Sequence, residues 1–66
     1  MNKEELIKKY KDMYIEVSIS SDKYERNMKL YRKNSIAFRN NYEGFSNCEY
    51  QATTLKIILN DLENLK

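Results

Sequence analysis

The chain has no histidine, no proline, one glycine (Gly44) and one cysteine (Cys48) in 66 residues, and each shortage removes a class of structure or chemistry. Without histidine or a second cysteine, the usual ligand sets for zinc, haem and iron–sulfur clusters are missing, and Cys48 has no partner for an intramolecular disulfide. Nucleophilic catalysis needs a base beside its nucleophile, and only scattered carboxylates and lysines are on offer. A glycine-rich phosphate loop cannot be built from one glycine. The chain also lacks any run of roughly 18 apolar residues that could span a bilayer, and its opening MNKEELIKKYK has no apolar stretch of signal-peptide length. The expectation is a cytoplasmic protein with no cofactor, no metal, no membrane contact and no enzymatic activity. Lys, Asn, Ile and Tyr are heavily used, which points to an AT-rich genome such as a low-GC bacterium, its phages or its mobile elements.

What the chain does have is a long apolar stripe. Alternating steps of three and four give Ile7, Tyr10, Tyr14, Val17, Ser21, Tyr24, Met28, Tyr31, Ser35, Phe38, Tyr42 and Phe45. That spacing gathers side chains on one side of an α-helix and repeats near 3.5 residues, as a coiled-coil seam does. Asn2 is placed to cap the first helix, with Glu4 and Glu5 in its first turn where the helix dipole favours acids.

Two positions compete for the chain reversal. Ser18 to Asp22 are mediocre helix formers, and Asp22 with Glu25 resembles a capping box, so a break at 18–21 would give a three-helix bundle. The stripe keeps its phase across that gap with no Gly or Pro, which favours continuity. Gly44 suits a left-handed helix C-terminus, Ser46 with Glu49 forms another capping-box pattern, and Phe45 could staple Tyr50. The sequence thus predicts an all-α single domain over 1–66, an antiparallel helical hairpin. Its parts are a long first helix at about 2–43, a turn at 44–46 and a helix at about 47–65 with Cys48, Ala52, Leu55, Ile58, Leu59, Leu62 and Leu65 on one face.

So unequal a hairpin has a consequence. A first helix of roughly 60 Å would outreach the last helix twofold and leave Leu6, Ile7, Tyr10, Met13, Tyr14 and Val17 uncovered, so a homodimer is expected. A chain this short is in any case marginal alone.

Charge is the remaining asymmetry. Net charge is only +2, yet residues 23–42 hold six cations against Glu25 alone, a local +5. Arg26, Lys29 and Lys33, flanked by Arg32 and Arg39, fall opposite the stripe and form the candidate partner-binding set. An ordinary solvated face, with Asp22–Arg26 and Glu25–Lys29 as i,i+4 pairs, explains the same residues without any partner. For the tyrosines, core packing is preferred over stacking on nucleobases, and for Cys48 a buried small hydrophobe is preferred over a reactive thiol. The functional expectation is a small protein-interaction module of inhibitor or adaptor type. The alternatives are a nucleic-acid-binding accessory using the basic face of residues 23–39 and a purely structural coiled-coil oligomer.

Overall fold

A computed structural model describes residues 2–65, and the end residues 1 and 66 of the expected domain lie outside them. The described residues form two helices, α1 (Lys3–Met28) and α2 (Ile36–Glu63), joined by a turn at 29–35. Contacts down their length pair Lys3 with Leu65, Lys11 with Glu63, Ser21 with Glu49 and Tyr24 with Gly44, so the helices run antiparallel. The result is a rod of 49 × 14 × 14 Å.

Helix α1 starts where the sequence places it. The Asn2 side chain accepts from the Glu5 N–H at 2.8 Å, with Glu4 and Glu5 in the first turn. It runs unbroken through Ser18 to Asp22, and the three-helix alternative falls with that continuity. Ser21 does not weaken the helix here, because its hydroxyl donates to Glu49 Oε1 at 2.7 Å instead of competing for its own backbone. Glu25 acts as no cap and pairs with Lys29 at 3.8 Å, one helical turn on.

The reversal lies elsewhere than expected. The helix expected over 2–43 stops at Met28, and the turn expected at 44–46 is interior to α2. Lys29 caps α1, while the Leu30 and Tyr31 N–H groups close onto Asn27 and Met28 carbonyls at 3.1 and 3.2 Å. Ser35 then opens α2: its Oγ accepts from the Phe38 N–H at 3.1 Å and donates to the Arg32 carbonyl at 2.7 Å. Gly44 has no positive φ, and Ser46 is an exposed residue within the helix that caps nothing. Burial gives the physical reason. Reversing at 29–35 yields arms of 26 and 28 residues that cover each other end to end, whereas reversing at Gly44 would strand half of the longer arm in water.

The stripe therefore belongs to two helices that face one another. Ile7, Tyr10, Tyr14, Val17, Ser21, Tyr24 and Met28 lie on α1, while Phe38 and Phe45 lie on α2 and continue into Cys48, Ala52, Leu55, Leu59 and Leu62. Cys48 is buried, as expected, though in mid-helix; Ile58 is half-buried, and Leu65 is exposed. Tyr50 is exposed and staples nothing. Leu6, Ile7, Tyr10, Tyr14 and Val17, expected bare in a monomer, are half-buried against α2, and only Met13 of that set stays exposed. The shielding is thin even so: Ser21, Cys48 and Leu55 are the buried residues among those described, and no side chain is sealed off completely.

Candidate interaction surface

The five cations singled out in the sequence would have made a ladder along a straight helix. The reversal at 29–35 wraps them around one end of the rod instead. Arg26 stands in the last turn of α1, Lys29 caps that helix, Arg32 and Lys33 lie in the turn, and Arg39 is in the first turn of α2; all five are exposed. Among the described residues one ion pair reaches this set, Glu25 to Lys29 at 3.8 Å, with the Lys29 side chain exposed and that of Glu25 partly so. Such a pair contributes about 0–1 kcal/mol, so the positive charge at this end is only weakly offset.

The same turn exposes apolar side chains that the sequence reasoning passed over. Leu30 is 75% exposed and Ile36 78%, with Tyr31 and Tyr42 also exposed beside them. Phe38 and Tyr42, one turn apart on α2, stack with ring centroids 6.4 Å apart and planes 20° from parallel. Lys33 and Arg39 join these two rings in lining a shallow pocket. Leu30 and Ile36 did carry a signal, since both fall off the three-four stripe and have no place in the seam. Together the turn offers cations that attract an anionic surface and aliphatic and aromatic groups that gain by being covered.

A second concave region lies mid-rod, where Tyr14, Ser18, Ser21, Asp22, Glu49 and Lys56 border a notch between the helices. Four of these side chains are engaged with one another. Ser21 bonds Glu49, and the Lys56 ammonium sits 5.8 Å from the centre of the Tyr14 ring, within cation–π range. Among the described residues no buried side-chain polar atom lacks a partner, and no cluster of three or more Cys, Asp or Glu side chains is placed to hold a metal ion. No described helix is long and apolar enough to cross a membrane. No protein-family model, curated protein or solved structure matches this chain.

Proposed function

We propose that the chain is a small, non-enzymatic protein-interaction module of inhibitor or adaptor type that works in the cytoplasm of a low-GC bacterium or one of its mobile elements. It acts through the turn end of the hairpin on a partner protein whose docking surface is acidic around an apolar centre. The observation that carries this reading is the exposure of Leu30 and Ile36 at the same end of the rod as the exposed Arg26, Lys29, Arg32, Lys33 and Arg39. Apolar anchors surrounded by polar and charged groups are the anatomy of a protein interface.

The alternative use of the same cations is nucleic-acid binding, and the Phe38–Tyr42 stack beside Lys33 and Arg39 is the feature in its favour. Leu30 and Ile36 weigh against it, because an aliphatic side chain offers no stacking face and a phosphate backbone gives it nothing to cover. A third use, a coiled-coil oligomer with no outside partner, leaves the basic turn unexplained.

The first two readings separate in one experiment. The wild-type chain is used as bait on extract of the native host, and the captured protein is purified and its binding measured. Reversing Arg26, Lys29 and Lys33 to Glu should slow association, because peripheral charges mainly steer encounter. Changing Leu30 and Ile36 to Ser should speed dissociation by tenfold or more. Binding to a generic 20-nucleotide strand that falls steeply with salt, yet ignores the Leu30 and Ile36 changes, would establish the nucleic-acid reading instead.

A further inference from the structure

The turn at 29–35 is built from residues that a helix accepts. It contains no glycine and no proline, and Lys29, Leu30, Arg32 and Lys33 are good helix formers. No described residue has a positive φ, and Lys29 keeps right-handed helical angles. The bonds that close the turn run from the Leu30, Tyr31 and Ser35 N–H groups to the Asn27, Met28 and Arg32 carbonyls, each one residue short of an α-helical bond. No residue type in the segment forbids a straight course, so what bends the chain is the cover that each arm gives the other.

The length of the turn matters as well. Residues 29–35 make close to two helical turns, so a helix run straight from Met28 to Ile36 keeps the apolar stripe in phase through Tyr31 and Ser35 to Phe38. Straightening takes from each arm its partner, and the contacts between the arms specify the replacement. Tyr24 fits against Gly44, Ser21 bonds Glu49 and Lys11 pairs with Glu63. A second copy running antiparallel supplies all three, and an unrelated apolar surface supplies none. Carried past Met28, the same register brings Tyr31 of one copy level with Phe38 of the other, so that Tyr31, 47% exposed in the hairpin, gains a cover.

We infer that the hairpin opens at 29–35 and exchanges arms with a second copy, α1 of each chain packing on α2 of the other in an antiparallel pair of continuous helices about 90 Å long. The contacts between the arms are kept but made between chains. The two basic segments then lie side by side at the middle of the pair, and their repulsion opposes exchange, so salt favours it. The inference stands apart from the reading of the basic turn, since no outside partner enters its test.

A mixture of unlabelled and isotope-labelled chain is unfolded by heat at millimolar concentration in high salt and then cooled, because exchange requires the arms to separate. Sedimentation should show a dimer of the 8.0 kDa chain. A carbodiimide then couples Lys11 to Glu63 as an amide, taking up the water released, and mass spectrometry should find coupled peptides with one labelled and one unlabelled half. Lys33→Pro should weaken the dimer at least tenfold with helicity unchanged: proline suits the second position of the turn closed by Ser35 and Arg32, where the Lys33 N–H makes no hydrogen bond among the described residues, and it cannot sit inside a straight helix. A wild-type chain that stays monomeric under these conditions overturns the inference. So does a dimer whose coupled peptides are never mixed, or a Lys33→Pro variant that dimerises as well as wild type. Should Lys33→Pro lose its helicity, the coupling of the wild-type chain decides alone, mixed peptides upholding the exchange and unmixed ones rejecting it.

Discussion

The ring of Tyr24 occupies the space where Gly44 would carry a side chain: a β-carbon built on Gly44 would stand 2.6 Å from both Cε1 and Cζ of that ring. Glycine in mid-helix costs about 0.5–1 kcal/mol relative to alanine, so the position sacrifices helix propensity for close approach of the ring to the α2 backbone. Gly44→Ala should therefore gain nothing, or lose about 1 kcal/mol, in the wild-type chain, because the ring has to swing out into solvent. Once Tyr24→Ala has removed the ring, the same change should stabilise by about 0.5–1 kcal/mol. Urea unfolding of the four chains by circular dichroism measures the coupling, and equal effects of Gly44→Ala in both backgrounds would refute the contact.

Ser35 and Ser46 make a paired test of where the chain reverses. Ser35→Ala removes the acceptor of the Phe38 N–H and should cost about 1 kcal/mol. Ser46→Ala replaces an exposed residue in the body of α2 with a better helix former, so it should be neutral or stabilise by up to about 0.5 kcal/mol. Thermal unfolding midpoints that fall for Ser46→Ala and hold for Ser35→Ala would put the turn back at Gly44.

The Ser21–Glu49 hydrogen bond should respond asymmetrically to truncation. Ser21 is 4% exposed, so Glu49→Ala leaves its hydroxyl in the seam without that acceptor, a loss of about 1 kcal/mol. Ser21→Ala leaves only a carboxylate that water can solvate, and puts a methyl group between the helices, so it should change stability by less than about 0.5 kcal/mol. The double variant should then be more stable than Glu49→Ala alone. If it is the least stable of the set, the hydroxyl and carboxylate act independently and the bond is no part of the helix–helix contact.

Much of the hairpin is written in local sequence. The three-four spacing from Ile7 to Met28 and the Asn2 cap define α1, and the unbroken phase through Ser18 to Asp22 marks it as one helix. The aliphatic face from Cys48 to Leu62 likewise identifies the side of α2 that turns inward. These features follow from side-chain period and backbone capping, which act over one or two turns and need no knowledge of the rest of the chain. The basic set was visible too, but as a line of charges and without Leu30 and Ile36.

The place of the reversal is different in kind. The stripe runs in phase through Met28, Tyr31, Ser35 and Phe38, so hydrophobic spacing shows no seam between one helix and the next. The stronger local signals, Gly44 and the Ser46–Glu49 pattern, mark a site that the fold puts to other uses: Gly44 makes room for Tyr24, and Glu49 accepts from Ser21. Ser35 lacks a glutamate three residues on, where Phe38 stands, and so advertises its cap weakly. Sequence determined that this chain is helical and which faces are apolar. Tertiary structure alone decided that it turns at 29–35, because only there do two arms of nearly equal length cover each other. That gain is summed over the whole rod, and no local pattern contains it.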